Sequence, residues 1–435
     1  MGAGNGLSGK SSAEVGRRDF GRLARSTYAM VLAGGRGRRL KELTDWRCKP
    51  AVPFGGKYRI IDFTLSNCVN SGVRRIGIAT QYKSYSLMRH LQRGWSFLDG
   101  RIGEHLDILP AQQQVAESWY CGTADAVFQN LNVLRRDGCQ YVLVLSGDHV
   151  YKMDYGRLLE EHAAREADAT VVCVDVALAE ARSFGVVSVD PSGRVTGFDE
   201  KPAEPRPTAG FPDRALVSMG VYVFSAPFLY EQLIRDADDP RSSHDFGKDL
   251  IPYIVGRYRV HAHRFAESCV DMPNGEPYWR DVGTLDAYWE ANMELAKVTP
   301  DLNLYDRDWP VWTFQEQLPP AKFVFDSDGR RGTAVDSMVS GGCIVSGATV
   351  RRSVLFSNVR VEDGALVEDC VVLPDVVIGP GVRLRRSIVD RHCRLNRELE
   401  VGAASEEDAK RFRVTEKGLT LITPEMLGQP VHQLR

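Results

Sequence analysis

No C-x-x-C pair, no long apolar run and no excess of one charge occur in this chain of 435 residues. Its nine cysteines are scattered, odd in number and without a histidine at metal-finger spacing. That pattern argues for reduced thiols in a cytoplasmic protein rather than a disulfide framework. No apolar stretch approaches the roughly 20 residues a helix needs to cross a bilayer, so no membrane partner is expected. Lys and Arg number 55 against 57 Asp and Glu, a formal net charge of -2. A balance so close leaves no footprint for nucleic acid, and any anion has to be met by local clusters. Residues 1–25 are rich in Gly, Ser and Arg and lack a hydrophobic segment, which reads as a disordered tail rather than a secretory signal.

What is present is ordinary globular composition, with 43% hydrophobic, 26% charged and 9% aromatic residues, at a length that favours two domains. Up to about Pro300, short apolar runs at 28–32, 75–80, 141–145 and 170–174 read as strands. Helix-period stretches at 63–70, 124–135 and 155–165 lie between them. Alternation of this kind predicts an α/β fold with a mostly parallel sheet and reactive loops at the carboxyl ends of the strands. Residues 301–325 contain Asp308-Trp-Pro and Leu318-Pro-Pro and read as an irregular linker packed on something, since a free linker would not spend Trp309, Trp312 and Phe314 on solvent. Beyond it the apolar period becomes six: Ile344, Val350 and Phe356; Val361, Val367 and Leu373; Val376, Val382 and Ile388. Such hexads build a parallel β-helix, expected over 326–435, with small insertions at the register slips and a cap near residues 406–413.

The chemistry gathers after the first strand, in Leu32-Ala-Gly-Gly-Arg-Gly-Arg-Arg-Leu40. It is neither a Walker A loop nor the spaced dinucleotide G-x-G-x-x-G. Gly34, Gly35 and Gly37 allow a tight turn that presents backbone N–H groups to an anion, and Arg36, Arg38 and Arg39 add charge, so the loop reads as a phosphate cradle. Lys49 and Lys201 each precede a proline, which holds them in extended or turn geometry. Asp148 ends the buried run Tyr141-Val-Leu-Val-Leu-Ser-Gly-Asp, at the carboxyl edge of the sheet, and Asp281 sits in Trp279-Arg-Asp-Val-Gly. Two carboxylates on one magnesium ion, completed by water and phosphate oxygens, is a usual way of holding that ion.

Leu-Ala-Gly-Gly-x-Gly-x-Arg-Leu followed by Lys49-Pro-Ala-Val resembles the signature of the sugar-nucleotide pyrophosphorylases. Arg59-Ile-Ile-Asp-Phe-Thr-Leu-Ser-Asn-Cys68, Trp119-Tyr-x-Gly-Thr-Ala-Asp-Ala126, Ser146-Gly-Asp-His-Val-Tyr151, Phe198-Asp-Glu-Lys-Pro202, Ser243-His-Asp-Phe-Gly-Lys-Asp249 and Tyr278-Trp-Arg-Asp-Val-Gly-Thr284 narrow it to the ADP-glucose branch. The resemblance runs from about residue 29 to 413. It implies a Rossmann-like nucleotidyltransferase domain over 26–300, joined to a left-handed β-helix with regulatory and oligomerisation roles. The implied reaction makes ADP-glucose and pyrophosphate from ATP and glucose 1-phosphate, the committed step of glycogen synthesis. The same resemblance assigns Arg39 and Lys49 to the triphosphate, and Asp148 and Asp281 to Mg2+. Glu200, Lys201, Ser218 and Trp279 fall to the sugar phosphate, and Gln113, Tyr120 and Gly122 to the base.

The resemblance further implies a homotetramer, activated by small metabolites and inhibited by AMP, ADP or phosphate, with Arg47, Arg59, Arg386 and Arg413 as candidate anion contacts. Trp46 stands where some members carry a lysine for a sugar bisphosphate, which shifts the expected activators towards pyruvate or fructose 6-phosphate. Cys48 and Cys121 also depart from the usual residues beside the site, and residues 392–400 lack the usual repeat, so the last coil is expected to be irregular. Three other readings compete. A UTP- or dTTP-using sister enzyme shares the scaffold, but the Trp119 segment favours ATP. A regulatory subunit without turnover generally loses catalytic residues that are present here. An acyltransferase β-helix usually carries a catalytic histidine, and the hexad stretch holds only His392. Asp245-Phe-Gly247 matches a kinase metal motif, without the loops that accompany it in kinases.

Overall fold

The computed structural model describes residues 21–35, 37–111, 119–327 and 330–430. Arg36 and Gln113, expected at the phosphates and the base, lie outside the described residues. So does the expected tail up to residue 20. Order begins before residue 26: Ala24 is buried in the core, and the Ser26 hydroxyl donates to the Leu23 carbonyl over 3.0 Å.

The first domain is built on a nine-stranded sheet of β1 (Thr27–Leu32), β2 (Arg75–Thr80), β3 (His105–Pro110), β4 (Tyr141–Ser146), β5 (Ala169–Ala177), β6 (Gly185–Val189), β7 (Val195–Glu200), β8 (Arg214–Ser225) and β9 (Val260–Arg264). Its order is β7-β6-β8-β4-β1-β2-β3, with β5 pairing both β8 and β9. The β4-β1-β2-β3 half that carries the glycine loop is parallel, and β8 runs antiparallel to β4. β1 and β4 are buried along most of their length, as expected for strands covered on both faces. Helices α1 (Ile60–Asn70), α2 (Tyr85–Gly94), α3 (Thr123–Phe128), α4 (Leu131–Asp137), α5 (Tyr155–Ala164), α6 (Ala226–Ala237) and α7 (Leu285–Glu294) surround it. The single helix expected over 124–135 is broken in two. Asn130 turns its side-chain amide onto the Ala126 carbonyl (2.8 Å) and the Tyr120 hydroxyl (3.0 Å), replacing the regular helical pattern at that turn.

The connection at 301–325 is strapped along α1. Trp309 Nε1 donates to Asn67, Trp312 Nε1 to Asn70 and Thr313 Oγ1 to Asp62, at 3.1, 2.9 and 2.6 Å. From Lys322–Val324 onwards, short strands stack in three parallel sheets, a left-handed β-helix. Val361 pairs with Ile378 and Ile378 with Leu395, a repeat of 17 residues that falls one short of three hexads. The register slips between the three apolar series therefore come from a shortened corner in the middle coils, while the insertions fall in the first and last coils. The first coil is longer, with Lys322 facing Ile344 and the Asp326–Arg331 hairpin inserted in it, and the next is shorter, with Ile344 facing Arg360. Residues 392–400 stay regular on two sides of the last coil; the third side arrives only at Thr420–Ile422, after the excursion through Ser405–Asp408. Phe412 plugs the end of the core, as a cap does.

Candidate active site

The glycine loop leaves β1 at the carboxyl edge of the sheet. Gly37 has φ 62° and its missing side chain faces Lys49 and Thr44, where a Cβ comes within 3.0 Å of both, so only glycine fits. The loop passes into the short helix Arg38–Thr44, which presents Arg39. β4 ends beside it at Ser146, and Gly147 N–H donates to the Leu32 carbonyl over 3.1 Å, setting Asp148 at the mouth of the sheet. Asp281 arrives from another direction: Trp279 and Arg280 pair with Tyr151 and Val150 just after Asp148.

These elements bring Arg39, Lys49, Asp148 and Asp281 together. Lys49 Nζ stands 2.6 Å from Asp281 Oδ1 and 3.1 Å from Asp148 Oδ2, and Arg39 reaches Asp281 Oδ2 at 3.0 Å. Burial pushes the Asp148 carboxyl up, but the Lys49 ammonium outweighs it and holds the group well below the usual carboxylate range; Asp281 is lowered by the same balance. Burial pushes Lys49 down, and the two carboxylates overcome it and raise the group. All three are charged at neutral pH. Ser146 Oγ donates to Asp148 Oδ1 (3.0 Å), and Thr64 Oγ1 to the Ser146 carbonyl (3.0 Å), fixing the carboxylate. An all-charged pair of carboxylates with one oxygen each facing a common point suits a hard divalent cation.

Next to this cluster a cleft of about 280 Å³ runs between β4, β7 and β8. Arg39, Asp148, Glu200, Lys201, Ser218 and Asp281 line it. Lys201, 59% exposed and with φ 48°, is held in its turn by its N–H on the Phe184 carbonyl, and its Nζ lies 2.7 Å from Glu200 Oε1. Ser218 Oγ donates to the Tyr222 hydroxyl over 3.2 Å. Trp279 stands behind the wall with its indole N–H buried and unpartnered among the described residues. The arrangement sets cations at one end and sugar-sized polar groups at the other, the layout for joining two phosphorylated reactants. Tyr120 and Gly122 lie outside this cleft, at the start of α3, whose Thr123 lines it. Gly122 is pressed on the 243–244 backbone, where a Cβ meets the His244 carbonyl oxygen at 2.1 Å.

Among the effector candidates, Arg47 and Arg59 reach the interface between the domains. Arg47 is bidentate on Asp390 of the β-helix at 2.8 and 3.0 Å. Arg59 lines a second cleft, of about 830 Å³, with Lys57, His90, Ser340 and Arg391. Arg386 and Arg413 also meet the catalytic domain, outside that cleft, over the Trp289 ring of α7 (4.5 Å) and clasped by Glu42 respectively. Trp46 Nε1 donates to Glu425 over 3.0 Å. Cys48 is buried, its thiol pushed up to about 11 by burial, and Cys121 is exposed. Residues singled out by geometry alone are His149, in the cluster, and Asp245, on the cleft rim, where it accepts from Thr123 over 3.0 Å. His149 was visible only as the neighbour of Asp148, and Asp245 was set aside with the kinase match.

A parallel-sheet domain with this cationic glycine loop and acidic pair defines a nucleotidyltransferase. Residues 28–298 match the sequence profile described as Nucleotidyl transferase, and residues 319–422 match one described as GlmU-like, C-terminal hexapeptide. Three relatives named glucose-1-phosphate adenylyltransferase, from Nitrosospira multiformis, Dechloromonas aromatica and Nitrosomonas europaea, are each 64% identical to the chain. The alignments cover 96%, 95% and 95% of this chain and 98%, 94% and 96% of theirs. The chain belongs to the glucose-1-phosphate adenylyltransferase family. No helix among the described residues is long and apolar enough to cross a membrane.

Proposed function

We propose that this protein transfers the adenylyl group of ATP to glucose 1-phosphate, giving ADP-glucose and pyrophosphate. The observation that carries the reading is Lys49 bridging Asp148 and Asp281 at the head of the sugar-sized cleft. An oxygen of the sugar phosphate attacks the α-phosphorus in line, and pyrophosphate leaves. The obstacle is repulsion between two polyanions, so positioned cations supply most of the catalysis. Arg39 and Lys49 gather the triphosphate oxygens, and Lys201, swung off Glu200, takes the sugar phosphate. Glu200 and Ser218 then accept from or donate to glucose hydroxyls. Asp148 and Asp281 would hold a magnesium ion, which supplies neutralisation of the triphosphate charge when bound. Release of pyrophosphate measured with ATP, UTP, dTTP, GTP and CTP tests this. Selectivity for ATP supports it, preference for another nucleotide moves the chain to a sister activity, and no turnover with any favours a regulatory subunit.

The cleft between the domains is the place we assign to anionic effectors, pyruvate or fructose 6-phosphate as activators and AMP, ADP or phosphate as inhibitors. Burial and the neighbouring Arg391 guanidinium push Arg59 down to about 9, the mark of cations held together without enough counter-charge. Arg391 Nε and Arg47 Nη1 are buried without partners among the described residues. Arg391 lines this cleft, and an anion there adds counter-charge beside it and Arg59. Titration of Arg59→Ala with each effector tests the assignment, and an unchanged response removes Arg59. Eight of the nine cysteines are buried thiols, which fits a cytoplasmic setting. A homotetramer is the assembly we expect, readable by light scattering.

A further inference from the structure

His149 follows Asp148 directly, and its ring is fixed on the wall of the sugar cleft by edge-to-face packing on Trp279, with centroids 5.2 Å apart at 80°. All but 13% of the side chain is covered. Nδ1 is sealed from water and faces the Met219 backbone, short of full hydrogen-bond geometry. Nε2 points the other way, into the acidic cluster, 3.7 Å from Asp148 Oδ1 and 3.6 Å from Asp281 Oδ1. Those separations are too long for hydrogen bonds. A ring kept only for packing leaves two polar nitrogens unused in a covered site, which costs stability.

The spacing has a simple meaning if something sits between the three atoms. A six-coordinate ion with bonds of about 2.1 Å puts neighbouring ligand atoms about 3 Å apart and opposite ones about 4.2 Å apart. The Nε2 distances fall inside that range, and all three ligand atoms lie within 4.8 Å of one another. We propose that His149 Nε2 is a third protein ligand of the divalent ion, making the site two carboxylates and one imidazole. This rests on the reading that Asp148 and Asp281 hold a metal. Lys49 Nζ takes Asp148 Oδ2 and one lone pair of Asp281 Oδ1, so the ion shares Asp148 Oδ1 with the Ser146 hydroxyl and Asp281 Oδ1 with Lys49. One nitrogen among the ligands softens the site, so Mn2+ and Co2+ are bound more tightly than Mg2+, which prefers oxygen alone.

The test is electron spin-echo spectroscopy of Mn2+ on the full-length protein, alone and with pyrophosphate, together with Mn2+ binding by calorimetry. The wild type should show nitrogen coupling to Mn2+ that changes from the 14N to the 15N pattern when its histidines are 15N-labelled. His149→Gln should abolish the coupling and weaken Mn2+ binding by at least about tenfold. His263, the other histidine grouped with carboxylates, is the control: His263→Gln should retain the coupling. Should His149→Gln misfold, His149→Asn carries the same expectation, loss of the coupling. Mn2+ bound without histidine coupling, or coupling that survives in His149→Gln, overturns the assignment while leaving the carboxylate site intact. No Mn2+ binding at all overturns it together with the metal reading. Histidine-coupled Mn2+ in a protein that makes no ADP-glucose supports the ligand and contradicts the catalytic reading.

Discussion

Lys49 lies between two carboxylates that repel each other without it, and its ammonium offsets the burial of both. Replacing it with Met leaves burial and mutual repulsion to act on Asp148 and Asp281, so their carboxyl groups titrate higher. The acid limb of the kcat/KM profile is then expected to move upward in pH, beside a loss of about 100-fold or more at neutral pH. The sign follows from the wild type: both carboxyls are depressed when folded, so their contribution is present above the ordinary range near pH 4 and is lost as pH falls. Gly283 is the quieter neighbour. A Cβ there meets Asp281 Oδ2 at 2.6 Å and Arg39 Nη2 at 2.8 Å, so Gly283→Ala should displace both groups and lower kcat by about tenfold or more without unfolding the protein. Far-ultraviolet circular dichroism beside the rate assay separates the two effects.

Elements carry the site by the way their ends meet. β1 and β4 place the glycine loop and Asp148, and the two-residue pairing of Trp279–Arg280 with Val150–Tyr151 delivers Asp281. Behind them α5 packs on β5 through His162, whose Nδ1 lies 2.8 Å from Thr170 Oγ1. Burial pushes that ring down to about 4, so it is neutral when folded. An unfolded histidine titrates near about 6.5, so this stabilisation is present above that pH and is lost as pH falls towards 4. Between pH 7 and 5 the wild type should lose about 2 kcal/mol more in urea unfolding than His162→Gln. The strands and the glycine loop were legible because their residue types sit side by side: an apolar run, then glycines and arginines. The break at Asn130 was not, since it depends on a side-chain amide reaching Tyr120. The 17-residue coil was hidden for a related reason, because hexads preserve their period within each series and conceal one missing residue at a corner.

Across the whole molecule, the β-helix is tied to the catalytic domain by charge as well as by packing. The Arg47–Asp390 pair is nearly dry, its side chains 10% and 3% exposed. Arg413 clasps Glu42, and Lys417 reaches Glu290 on α7 at 3.1 Å. α7 starts four residues after Asp281, and Glu42 lies three residues beyond Arg39, across the kink at Lys41, so both ends of the site rest on the second domain. Arg47→Met strands a buried carboxylate and should destabilise the interface by about 3–5 kcal/mol, seen as one calorimetric transition splitting into two. Site residues far apart in sequence were gathered in advance only through the family resemblance; nothing local joins residue 49 to residue 281. The effector arginines came by the same route: all four lie where the two domains meet, and only Arg59 lines the interdomain cleft. The central claim is that this one cluster makes ADP-glucose. Formation of radiolabelled ADP-glucose from ATP and labelled glucose 1-phosphate, compared between wild type and Asp148→Ala, tests it most directly. Product is expected from ATP, little from UTP, with a loss of at least about 100-fold in the variant. Undiminished product in Asp148→Ala, or none in the wild type with magnesium and effectors present, would contradict it.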